Sequence, residues 1–262
     1  MRSNIPLIVS SCDKCSDLWQ SFFGLVKKNW PEFDRKVYLC TDSKAFSYEG
    51  LDIDCPLRMP LGSTWSENLL TLLNHIEEDY VLFMLDDFWL KSQVNEDRLQ
   101  QYEDIIQMDD AIGFICLIHQ IESSVENPLS ADYSGLIEYG RKTPYRVTTQ
   151  AGLWRKDYLK SLLRRYESAW WFEMFGSKRS RHSKYRSYVV VESVFDYDES
   201  GVLFRGSYIK EHVVGFMDDS SVVLNPRRRI DSFDRLKSEI KPLSLWKKMN
   251  PHFVYFYVKS HF

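Results

Sequence analysis

A mostly parallel α/β fold is predicted by three features of the chain. Apolar runs of strand length alternate with amphipathic segments of helix length. Two early runs stop on small polar residues and an aspartate. A third, Tyr80-Val-Leu-Phe-Met-Leu-Asp-Asp-Phe-Trp-Leu90, is apolar without alternation until it meets two adjacent carboxylates. Such a run reads as a strand buried on both faces, inside a sheet that helices cover.

Ile5 to Val9 forms the first expected strand, followed by a polar turn. Asp17 to Lys28 reads as a helix, with Leu18, Phe22, Leu25 and Val26 on one stripe, and Trp30-Pro31 stops it. Lys36 to Thr41 is the second strand and ends at Thr41-Asp42-Ser43, with a short strand expected at Ile53. Thr64-Trp-Ser-Glu67 has the spacing of a capping box, opening a helix with Leu69, Leu72, Leu73 and Ile76 on one face. After the aspartate-tipped strand come a helix over Glu96 to Met108, a strand over Ile112 to Ile118, and a polar stretch between Glu122 and Pro144. That stretch reads as an excursion over the cleft or a small hairpin. Tyr145 to Thr149 reads as a strand, Gln150 to Trp154 as a turn, and Arg155 to Tyr166 as a helix. Late strands are expected at Tyr188 to Val194 and Gly201 to Phe204, and a short helix at Asp231 to Lys237. The βαβ alternation argues for right-handed crossovers. The economical division is one α/β domain over residues 1–215 and an aromatic, partly helical appendage over 216–262, packed on the same domain.

With 262 residues, 44% hydrophobic and 15% aromatic, the chain can bury a full core. A net charge of −3 argues against nucleic acid as a partner. The apolar run at the amino end is too short for a signal peptide, and no segment approaches a membrane span, so a cytoplasmic chain is expected. Five cysteines, an odd number, fit reduced thiols better than a disulfide framework.

Asp86 and Asp87 would sit at the carboxyl end of their strand, where open α/β sheets bind ligands. Aspartate is also common in plain turns. Here Phe88-Trp-Leu90 follows at once, and packing two carboxylates side by side without a cation or donors is costly. Two hard oxygen donors suit a divalent cation that keeps waters and takes diphosphate oxygens.

The order of pieces resembles glycosyltransferases of the GT-A fold, especially small bacterial enzymes of surface polysaccharide synthesis. The matching pieces are Ile8-Val-Ser-Ser-Cys-Asp13, Leu39-Cys-Thr-Asp42, Leu61-Gly-Ser-Thr-Trp-Ser66, Val81 to Asp87, Gln150-Ala-Gly-Leu-Trp-Arg155 and Trp170-Trp-Phe-Glu173. The resemblance spans roughly residues 5–215 and rests on sequence order rather than on any single piece. It implies a Rossmann-type central sheet flanked by helices, and transfer of a sugar from a nucleoside diphosphate to a saccharide or lipid-linked acceptor. Ser11, Asp13, Asp42, Trp65, Asp86 and Gln150 would line the nucleotide-sugar side. Asp87 and Asp86 would hold Mg²⁺ or Mn²⁺, although the family usually shows Asp-x-Asp and this chain has Leu85-Asp-Asp-Phe88.

An inverting transfer needs a carboxylate to take the acceptor proton. Glu173 is the candidate base, because its aromatic surroundings would desolvate it and raise its pKa. Trp170 and Trp171 could offer flat faces to an acceptor sugar, or simply pack in the core. Arg179 and Arg181 belong to a basic run, Lys178 to Arg186, that would close over phosphate or remain a solvated loop. Arg227-Arg-Arg229 and the aromatic tail from Leu243 suggest peripheral contact with an anionic membrane. Three alternatives compete. One is a non-catalytic carbohydrate-binding or scaffold protein. A second is a sugar-phosphate nucleotidyltransferase, whose usual Gly-rich, basic loop after the first strand is missing here. The third is a thioredoxin-like redox protein using Cys12-Asp-Lys-Cys15.

Overall fold

Eight strands form the central sheet of the computed structural model, which describes residues 5–120 and 133–239. In chain order they are β1 (Leu7–Ser10), β2 (Val37–Cys40), β3 (Ile53–Asp54), β4 (Tyr80–Leu85), β5 (Ile112–Cys116), β6 (Leu136–Glu138), β7 (Gly152–Arg155) and β8 (Arg186–Val190). Their spatial order is β3-β2-β1-β4-β7-β5-β8-β6. The first four run parallel, as do β5 and β8, and β7 is wedged antiparallel between β4 and β5. Every residue of β1, β2 and β5 is buried, which is why these runs carry no polar alternation.

Four helices cover the sheet: α1 (Trp19–Asn29), α2 (Trp65–His75), α3 (Glu96–Met108) and α4 (Lys156–Leu162). The stripe expected on the first helix is buried, with Phe22, Leu25 and Val26 at 1% exposure or less. Thr64 caps α2 as expected, accepting from Glu67 N at 3.2 Å. The reciprocal half of the box differs: Glu67 faces Arg165 at 3.5 Å, and the Thr64 hydroxyl donates to Arg165 O.

Residues 145–149 are not a strand, and the expected turn at Gln150 to Trp154 instead contains most of β7. The backbone of 145–149 finds partners elsewhere. Ser177 Oγ donates to Val147 O at 3.0 Å and accepts from Val147 N at 3.2 Å. The buried Arg146 guanidinium donates to Ser180 O and Tyr185 O, both at 3.0 Å. The Ser177 hydroxyl and the Ser180 carbonyl come from a helical run made of one α-turn, Ala169–Trp171, a π-helical stretch, Phe172–Gly176, and a second α-turn, Ser177–Ser180, and Tyr185 follows it. The basic run expected as a loop therefore begins as helix.

A second sheet joins β9 (Leu203–Phe204), β10 (Ser207–Ile209) and β11 (Ile230–Asp231). It draws strands from both sides of residue 215. Beyond 216 the chain is stitched back onto α1 and the turn before it: Ser21 Oγ exchanges hydrogen bonds with Val223 O and N, and Arg228 grips Asp17 through Nε and Nη2, each at 2.6 Å. The aromatic tail from Leu243 lies outside the described residues.

Candidate functional site

Parallel strands leave their last backbone groups at one edge of the sheet, so the turns after β1, β2 and β4 converge there. Asp86 N donates to Ser10 O at 3.2 Å and Ser11 N to Cys40 O at 3.0 Å, which ties the three turns together. A cavity of about 410 Å³ opens at this edge. Its walls include Ser10, Ser11, Asp42, Trp65, Asn68, Asp86, Asp87, Ala169, Leu203 and Gly206.

The two carboxylates differ in setting. Asp86 is buried and accepts from Ser11 Oγ, which in turn accepts from Trp19 Nε1 at 2.7 Å. Burial, then the charge of Asp87, pushes Asp86 well above the usual carboxylate range, against the Ser11 hydrogen bond. Asp87 is half-buried, and desolvation pushes it up to about 7 against hydrogen bonds from its own N–H and that of Leu203. A loop closes over it: Val202 N donates to Asp87 O at 2.9 Å, and Gly201 sits at φ +68°. A Cβ at Gly201 would lie 2.1 Å from Asp87 Oδ2, so this backbone approach requires glycine.

No group of three or more His, Cys, Asp or Glu side chains gathers to hold a metal among the described residues. The donor set still fits a hard cation. Two adjoining carboxylates, both costly to ionise while buried, face a cavity with room for waters and diphosphate oxygens.

Several of the expected site residues meet here. Ser11, Asp42, Trp65, Asp86 and Asp87 share the cavity. Trp65 Nε1 donates to Ser10 Oγ at 2.8 Å, and Asn68 Nδ2 holds Asp42 Oδ1 at 2.8 Å. Asp13 is outside the lining. Its Oδ1 accepts from the N–H groups of Asp42, Ser43 and Lys44, so its carboxylate clasps the turn after β2. Gln150 is also outside, bridging Tyr197 OH and Glu199 O, each at 2.9 Å.

Glu173 lies one helical turn beyond Ala169. Its Oε1 accepts from Thr148 Oγ1 and Thr149 N at 2.7 Å and from Thr149 Oγ1 at 2.8 Å. The β4–β7 ladder ends at the Phe83–Gly152 pair, and Glu173, like Thr148 and Thr149, is outside the cavity lining. Trp170 is 58% exposed, while Trp171 packs edge-on to Phe175. Neither Arg179 nor Arg181 reaches the cavity lining. Arg179 forms a two-pronged pair with the fully buried Glu167, at 2.8 and 2.7 Å, and donates to Leu162 O. Of the triplet expected to touch a membrane, Arg228 is held by Asp17, and Arg229 by Asp231 and Glu239.

Sequence reasoning missed Ser10, Trp19 and Asn68 as site residues, although Asn68 lies one turn past the cap it had identified. It also missed that Cys12 and Cys15 belong to the same cavity.

No protein-family model matches the chain, and no curated protein matches it in sequence. Solved structures do match in shape. S. aureus TarS 1-349 in complex with UDP superposes with a TM-score of 0.50 at 13% identity, over 75% of this chain and 60% of that one. The mannosyltransferase PcManGT from Pyrobaculum calidifontis, in complex with GDP-Man and Mn²⁺, gives 0.50 at 12% identity, over 79% and 59%. The fold is GT-A. Within the GT-A fold, the large mixed sheet, the helices on its faces and the carboxyl-edge cavity take their expected places. The chain spans about three fifths of the length of those two structures.

Proposed function

We propose that this GT-A chain transfers a sugar from a nucleoside-diphosphate donor to a hydroxyl of a growing saccharide, of the kind built into bacterial surface polysaccharides. The observation that carries the reading is the pair Asp86 and Asp87 at the mouth of a cavity on the carboxyl edge of the parallel strands. The two neighbours caught with UDP and with GDP-Man and Mn²⁺ lend it support through their shared fold.

In this reading Asp87 and Asp86 would hold Mg²⁺ or Mn²⁺, which would supply positive charge to a leaving diphosphate. Ser11 fixes Asp86 with a hydrogen bond, and Trp19 fixes Ser11. Asn68 holds Asp42 facing the nucleotide side, where its carboxylate can accept from a ribose or base. Trp65 gives the cavity an apolar wall. Glu173 takes the proton of the acceptor hydroxyl on its Oε2, while Oε1 stays anchored to Thr148 and Thr149. The exposed Trp170 offers the acceptor ring a flat apolar face beside Ala169.

A panel of nucleotide sugars screened by thermal shift, with and without Mn²⁺, tests the reading. A donor at about 100 times its Kd stabilises the protein by about 2.7 kcal/mol. One member should raise the melting temperature in the presence of metal. A panel without a single shift would overturn it.

A further inference from the structure

Sugar transfer leaves Cys12 and Cys15 without a task. After β1 the chain turns through Asp13–Cys15, and Cys15 N donates to Cys12 O at 2.9 Å. This turn sets the two sulfurs 3.6 Å apart. Both thiols are partly exposed, and both face the cavity. A disulfide needs its sulfurs about 2 Å apart. No other thiol is so placed: Cys40 and Cys116 are buried, and Cys55 Sγ rests 3.7 Å from Phe46 O.

We propose that Cys12 and Cys15 form a reversible dithiol–disulfide site in the cavity wall, with Cys12 as attacking and Cys15 as resolving sulfur, taking low-molecular-weight disulfides as oxidant. The electrons balance in two exchanges. The Cys12 thiolate attacks one sulfur of the disulfide RSSR, giving a mixed disulfide and releasing RS⁻. Cys15 then loses its proton to water and attacks the Cys12 sulfur, expelling the second RS⁻. The protein gives up two electrons and two protons, and RSSR becomes two RSH.

The division of roles follows from the surroundings. Cys15 and the N–H groups of Lys14 and Cys15 bring the Cys12 thiol down to about 6, against its burial. Cys15 is pushed up by its bond to Cys12 and by burial, so it stays protonated until the mixed disulfide forms. The site stands whether or not the cavity takes a nucleotide sugar, because its chemistry uses only the thiols and the oxidant.

The test incubates the full chain with oxidised glutathione, then reads intact mass and maps the remaining thiols by alkylation. The wild type should lose two reactive thiols and about 2 Da, and dithiothreitol should restore both. Cys15→Ser should stop at one glutathione adduct on Cys12. Cys12→Ser should react about tenfold more slowly and form no internal link. A wild type that keeps a glutathione adduct, or that reacts first at Cys55, overturns the proposal without any variant. Equal rates for Cys12→Ser and Cys15→Ser would overturn the assignment of roles.

Discussion

Replacing Gly201 by Ala should both weaken the fold and disturb Asp87, and the size of the effect can be worked from two terms. At φ +68° a side chain costs about 1 kcal/mol or more of backbone strain. The added Cβ would stand 2.1 Å from Asp87 Oδ2 and 2.5 Å from its carboxyl carbon, so the carboxyl group must move away from the loop. Overpacking of that kind costs about 1–3 kcal/mol. The sum, about 2–4 kcal/mol, is readable by urea unfolding with an unchanged m-value. The two terms separate in a double-mutant cycle with Asp87→Ala, which removes the obstructing carboxylate and leaves only the backbone strain. The cycle should show about 1 kcal/mol or more of coupling. Additive losses, or a single-variant cost below about 0.5 kcal/mol, would refute the close approach of this loop to Asp87.

The acidity of Asp87 predicts a pH dependence. Its carboxyl titrates at about 7 in the fold and at 3.8 ordinarily, so between these values the folded chain binds the extra proton. Metal-free stability should therefore fall as pH rises from about 4 to about 7, with Asp86 adding to the fall; Asp87→Asn should reduce that slope in melting curves, and an unchanged slope would remove Asp87 as a source. Glu173→Gln should spare nucleotide binding and slow transfer by about 100-fold or more, measured as nucleotide release; an active variant would strip Glu173 of the base role. Arg179→Ala leaves the buried Glu167 unpaired, so it should cost about 3–5 kcal/mol in denaturant titrations while nucleotide affinity of the folded protein holds. A large change in affinity would show that Arg179 does reach the ligand.

Local features of the sequence proved readable where the physics was local. The unbroken run from Tyr80 to Leu85 has the composition of a strand with both faces covered, and α3 occupies Glu96–Met108 as its apolar spacing required. The Thr64 cap needed only the N–H three residues on. Where partners came from afar, the reading failed. Tyr145 to Thr149 looks like a strand by composition, yet Ser177, Ser180 and Tyr185 satisfy Arg146 and Val147 from across the fold. Arg179 reads as a free cation until Glu167 is placed opposite it. Arg228 and Asp17, 211 residues apart, belong to a contact that no local pattern announces. The carboxylate pair was visible; the Ser11 and Trp19 relay that positions it needs β1 and β4 side by side.

The most direct measurement is calorimetric titration of UDP and GDP into the wild type and Asp87→Ala, each with and without Mn²⁺. One nucleotide should bind the wild type with Mn²⁺ and lose at least about tenfold in affinity, or about 1.4 kcal/mol, when either the metal or the Asp87 carboxylate is removed. Binding that ignores both changes, or no binding under any condition, would contradict a diphosphate site built on Asp86 and Asp87.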